Sequence, residues 1–163
     1  MKKKTNHAAQ FLNHLAGKWS GGGTAMSPTI AHFDYTETLT VVLDEKRPLA
    51  HYEQRTYKRE EGSNEYVSAH WESGFIRATS DDALEWICSQ SGGRVEVLIG
   101  LITIQGDAVT VELTSELTTN DPRMSHSTRT IELKHNTLHY VMAMATTEVE
   151  QMTMHLDAVL KRA

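Results

Sequence analysis

The chain has 163 residues, 39% hydrophobic and 23% charged, with net charge −5 and one cysteine. That is the size of a single domain, 1–163, able to bury a core without a disulfide or metal staple. The acidic balance argues against a nucleic-acid partner, and the longest apolar run, Val97 to Ile104, is too short for a membrane helix.

Residues 5–16 are predicted as a short helix, because Ala8, Phe11, Leu12 and Leu15 fall on one stripe. Thr5 or Asn6 can cap its start, and Gly17 sits where a left-handed residue ends it. Lys2–Lys4 are followed by no apolar stretch, so no secretory signal is expected. After Gly17 the period becomes two. Phe33, Tyr35, Leu39, Val41 and Leu43 alternate with Asp34, Thr36, Thr38 and Thr40, a strand with one dry and one wet face. Turn clusters at 44–48, 60–64, 79–82, 90–93, 105–107, 119–123 and 135–137 separate runs rich in Val, Ile, Thr, Tyr and Trp. The runs make about ten strands, joined too tightly for helical crossovers, so neighbours pair antiparallel. Closing the sheet leaves no free edge. The expected fold is all-β, a single ten-stranded antiparallel up-and-down β-barrel over 18–162 behind a short N-terminal helix. Such a barrel is wide enough for a small ligand. Stretches polar on both faces, such as His51–Thr56, suit a cavity better than a solid core.

Nine histidines raise the question of a metal. His7 and His14 lie on the helix and read as solvated, and His135 and His139 flank a turn rather than share a helix face. His70 and Glu72 share one strand face. Without a third ligand they read as a histidine held by a carboxylate. Cys88 alternates with Leu84 and Trp86 and reads as a packed thiol. It has no internal disulfide partner, which suits the cytoplasm. No serine occupies a strand–turn–helix elbow, and Gly21-Gly22-Gly23 lacks the Lys-Ser/Thr pair of a phosphate loop. Glu60-Glu61 and Asp81-Asp82 lie in turns and read as solvated. One region stands apart: Met142, Met144, Met152 and Met154 lead to His155. Methionine lines irregular apolar pockets, and a histidine there can take one axial position of a haem iron. The competing reading packs the methionines in the core and leaves His155 on the surface.

Six blocks occur in a specific order. They are Gly17-Lys18-Trp19-Ser20-Gly21-Gly22-Gly23; Pro28-Thr29-Ile30 with Phe33 and Tyr35; Pro48-Leu49 with Tyr52; His70 to Arg77; Val95-Glu96-Val97 with Gly100; and His155 to Arg162. In that order and spacing the chain resembles the nitrobindin family, haem-binding β-barrels related in shape to fatty-acid-binding proteins, from Leu15 to Arg162. The resemblance implies a barrel holding haem b, with His155 as axial ligand of the iron and Thr29 as a haem contact. It implies a ferric, five-coordinate iron with an open distal side, which converts peroxynitrite to nitrate and binds nitric oxide. The implied partners are therefore haem and a small anion or gas. The alternative is a carrier of a fatty-acid-like or other apolar ligand that does no chemistry. His32, His51 and His70 are the histidines able to face the distal side. Ser27 departs from the family, which often has Tyr there. Strict alternation puts His155 opposite Leu156, Ala158 and Leu160. Either those three pack on the outer wall, or a bulge intervenes near His155.

Overall fold

In the computed structural model, which describes residues 6–163, helix α1 spans His7–Leu15. Asn6 is its cap, accepting a hydrogen bond from the Ala9 amide at 2.8 Å. Thr5, the predicted helix start and Lys2–Lys4 lie outside the described residues. Gly17 takes φ +124° as the chain leaves the helix, a conformation that disfavours a side chain. Ten strands follow: β1 Gly17–Ser27, β2 Ile30–Leu43, β3 Leu49–Arg59, β4 Tyr66–Ala78, β5 Ala83–Gln90, β6 Val95–Gln105, β7 Ala108–Thr119, β8 Met124–Lys134, β9 Thr137–Thr146 and β10 Thr153–Arg162. Each pairs antiparallel with its chain neighbours. The barrel closes where β1 meets β10, in register from Trp19 opposite Arg162 to Ala25 opposite Leu156. That seam admits little bulk, and a Cβ on Gly21 would run into the Val159 carbonyl oxygen.

The two ends of the barrel differ. At one end α1 is a plug. Phe11, Leu12 and Leu15 are fully buried in the core that holds Trp19, Ile76, Leu84 and Leu160. Each such side chain contributes about 1.5–3 kcal/mol of hydrophobic stabilisation. The Trp19 indole N–H donates to the Leu15 carbonyl at 2.8 Å, and the Arg162 guanidinium lies 4.3 Å over the Trp19 ring while donating to the Ala16 carbonyl at 2.6 Å. These contacts latch the helix to both strands of the closing seam at one end. At the other end the turns before β2, β4, β6, β8 and β10 surround an open mouth. Two of them are tied together by Asn120 Nδ2 donating to the Gly93 carbonyl at 2.8 Å.

The register slips at the mouth. Bulges fall between Ala25 and Ser27 in β1, between Met154 and Leu156 in β10, and between Met124 and His126 in β8. The bulge in β10 settles the question of alternation. Leu156, Ala158 and Leu160 turn inward, and His155, the extra residue, borders the interior as well. No helix among the described residues is long and apolar enough to cross a membrane.

Candidate functional site

A cavity of about 320 Å³ runs from the mouth into the barrel. Ala25, Ile30, Phe33 and Leu156 form apolar walls near the rim, and Leu39, Trp86, Ile131 and Leu138 line it deeper. Polar side chains interrupt these walls at two levels.

The first level is the mouth. His155 is half-buried and lies between the main cavity and a small pocket beside it. Its Nδ1 is 3.0 Å from the carbonyl oxygen of Met26, the bulged residue of β1. A carbonyl can only accept, so Nδ1 carries the proton and Nε2 the lone pair. Burial lowers the pKa of this imidazole, the Met26 carbonyl opposes that, and the charges of Arg94 and His70 add to the lowering. These effects favour the neutral ring, and the backbone sets its orientation and tautomer, the preparation a metal-binding histidine needs. Thr29 is exposed in the turn between β1 and β2 and lines the small pocket together with His155. Ser27 Oγ accepts from the Thr29 amide at 3.2 Å and lies 3.0 Å from its hydroxyl. The residue that departs from the family thus shapes the loop carrying Thr29.

The second level is a buried polar network that the sequence pattern did not single out. Arg129 donates to both oxygens of Glu72, at 2.7 and 3.0 Å, and to Glu96 at 3.2 Å. Tyr52 adds a 2.5 Å bond to Glu72, and Ser127 a 2.6 Å bond to Glu96. Burial alone would raise the Glu72 carboxyl, but the Arg129 charge, His70 and Tyr52 outweigh it and hold it well below the usual range. Glu37 has no guanidinium. It accepts from Gln54 at 2.7 Å and Tyr140 at 2.6 Å, and Tyr140 in turn meets the Tyr35 hydroxyl at 2.9 Å. Burial pushes Glu37 up to about 7. One signal for this residue was present, since Glu37 fills the gap in the dry phase of β2 between Tyr35 and Leu39.

The other candidates resolve simply. His70 lies 3.5 Å from Glu72, the histidine-on-carboxylate pair expected, and among the described residues no group of three or more ligands could hold a bare metal ion. His70 borders the cavity, whereas His32 is exposed and His51 faces outward against Phe75 and Ser73. His7 is not simply solvated, because its Nδ1 lies 2.7 Å from Asp82. Cys88 is buried, and burial pushes its thiol up to about 11. The methionines do not line the cavity as a set. Met142 does, Met144 and Met154 reach only the small pocket, and Met152 and Met154 are 39% and 45% exposed. The cause is the β10 bulge, which reverses the inward phase just before His155 and turns Met154 out.

The residues at the mouth fit a haem. A neutral histidine with a free Nε2 borders an apolar-walled opening. Arg94 Nε, at the turn before β6, is a buried donor bordering the same cavity without a hydrogen-bond partner, and deeper in Trp86 Nε1 and Arg129 Nε are likewise unpartnered.

Comparison with known proteins agrees with that chemistry. The family model described as THAP4-like, heme-binding beta-barrel domain matches residues 8–162. A protein of Arabidopsis thaliana named as a peroxynitrite isomerase is 34% identical over 151 residues, covering 93% of this chain and 86% of its own. A protein of Nocardia farcinica with the same activity in its name is 31% identical over 157 residues, covering 93% and 88%. The crystal structure of Rv2717c from M. tuberculosis superposes with a TM-score of 0.83 at 26% identity, covering 98% of this chain and 99% of that one.

Proposed function

Since the chain belongs to the THAP4-like, heme-binding beta-barrel domain family, we propose that it acts as one haem-binding unit, converting peroxynitrite to nitrate and also binding nitric oxide. The group is haem b, His155 is the axial ligand and Thr29 a contact at the mouth. The observation that carries this reading is the pair of facing bulges, where the Met26 carbonyl holds His155 Nδ1 and leaves Nε2 as the donor to iron. The bound haem supplies a ferric iron as the electrophile for the rearrangement.

The chain's own residues bind, orient and confine. The Met26 carbonyl keeps His155 in one tautomer. Ala25, Ile30, Phe33 and Leu156 exclude water from the faces of a macrocycle. Deeper in, Glu72 and Glu96 share the Arg129 guanidinium and Glu37 has no cation bonded to it, so a small anion is disfavoured in the interior and kept at the mouth. The same charge balance disfavours a fatty-acid carboxylate inside, because Arg129 is already bonded to two carboxylates. His70 stays tethered to Glu72 rather than free to ligate. The buried, unpaired Cys88 fits a reducing cytoplasm.

The test is haem titration followed by stopped-flow decay of peroxynitrite, using ferric protein, apo protein and His155→Ala. The wild type gains a Soret shift, speeds decay and directs products to nitrate, with less tyrosine nitration of a bystander. His155→Ala loses the shift and the rate while keeping its β-sheet circular dichroism. Equal rates and equal nitration in all three samples refute the activity, and an unchanged ferric spectrum in the mutant refutes the ligand.

A further inference from the structure

We propose that Arg94 binds a propionate carboxylate of the haem at the cavity mouth. This inference rests on the haem reading above and adds the residue that recognises the acidic edge of the macrocycle. Arg94 opens the strand side of the turn that precedes β6, and its backbone carbonyl accepts from the Gln90 amide at 2.9 Å, so its position is set. Four strand steps around the closed barrel separate β6 from β10, which puts Arg94 across the mouth from His155. Both side chains border the same cavity.

The cations of this cavity are not equivalent. Arg129 also has an unpartnered buried Nε, but both its Nη atoms are spent on Glu72 and Glu96. Arg123 is 79% exposed and bonded to Asp121 at 3.2 Å. Arg94 is only 16% exposed, and its Nε is buried with no hydrogen-bond partner. The two carboxylates near it are both engaged more closely elsewhere. Glu96 Oε2 lies 3.7 Å from Arg94 Nε but accepts from Gln90 at 2.9 Å and from Arg129 at 3.2 Å. Asp121 Oδ2 lies 3.7 Å from Arg94 Nη1, while Asp121 Oδ1 accepts from Arg123. A guanidinium in this state has its charge balanced but its donors unfilled, and a planar carboxylate is the acceptor that matches its fork. The turn beside it, Gly92-Gly93, has no side chain to close the opening.

An oxyanion of the substrate has the same chemistry as a propionate, so the experiment separates the two. Haem and its dimethyl ester, which lacks the carboxylates, are titrated into wild type, Arg94→Met and Arg94→Lys, with the Soret shift as readout. Azide is then titrated into each ferric protein, and circular dichroism with thermal melting checks that each variant folds. Wild type prefers haem to the ester. Arg94→Met weakens haem binding by about tenfold or more, the worth of one charge-assisted bond, and leaves ester binding unchanged, so the preference collapses. Arg94→Lys recovers part of it. A variant that binds haem as tightly as wild type, or weakens haem and ester alike, overturns the proposal. So does unchanged haem binding with weakened azide binding, which assigns Arg94 to the small anion instead. If wild type binds neither haem nor ester with a His155-dependent shift, the haem reading fails and this inference falls with it.

Discussion

Glu37 makes the stability of the apo barrel depend on pH in a way one substitution isolates. The residue is 2% exposed, lies on the inward face of β2 and meets Gln54 and Tyr140 rather than a cation. Burial raises its carboxyl to about 7 from 4.5, against the lowering effect of those two donors. The native state therefore binds more protons than the unfolded chain between those values, and stability falls as pH rises through that window. Below pH 4.5 the carboxyl is protonated in both states and costs nothing, and above about 7 the full penalty applies. The gap of about 2.5 units corresponds to about 3 kcal/mol. Glu37→Gln keeps the size and a carbonyl acceptor but cannot ionise. Relative to wild type, the variant gains about 3 kcal/mol between pH 5 and pH 8, or roughly 6–12 °C in Tm for a domain of this size. Urea denaturation of both proteins at several pH values measures the difference, and other titrating groups cancel in the comparison. Parallel pH profiles for the two proteins refute the reasoning.

The remaining predictions concern the network and the seam. Arg129→Met leaves Glu72 and Glu96 buried without their guanidinium, and costs about 3–5 kcal/mol by urea denaturation at pH 7. A loss under about 1 kcal/mol means the network is not what holds this side of the barrel. Gly21→Val drives a side chain against the Val159 carbonyl and Leu160 across the β1–β10 seam. It lowers stability by about 3 kcal/mol, at the upper end for overpacking, and weakens haem binding with it. Lost haem binding at unchanged Tm instead assigns Gly21 a direct ligand contact.

The fold was legible because its signals are local. The stripe of Ala8, Phe11, Leu12 and Leu15 specifies one helix, and a period of two broken by short turns leaves antiparallel neighbours as the workable pairing. Cys88 and the His70–Glu72 pair were also readable, since each depends only on which strand face a residue occupies. Thr29 stood out only through the order of six sequence blocks, whereas His155 also closed a methionine-rich stretch, of which only Met142 lines the main cavity.

The interior was not legible in that way. Glu37, Glu96 and Arg129 sit on inward phases among apolar residues, and alternation marks them only as exceptions. What joins Arg129 to Glu72 and Glu96 is the curvature of the barrel, which brings β4, β6 and β8 to one side of one cavity, while Glu37 on β2 meets Gln54 and Tyr140 instead. The methionines mislead for a related reason: a single extra residue in β10 reverses the phase of everything before it, so Met154 faces out although its spacing points in. The chain alone thus determined the helix, the strands and their antiparallel order, because these follow from periodicity and turn chemistry. Only the tertiary structure decided that His155 shares the interior with Leu156, that its Nδ1 is held by Met26, and that the Nη atoms of Arg129 are spent on carboxylates while those of Arg94 are not. Each of those facts is a contact across strands, and a bulge or a barrel closure sets such contacts without leaving a mark on local composition.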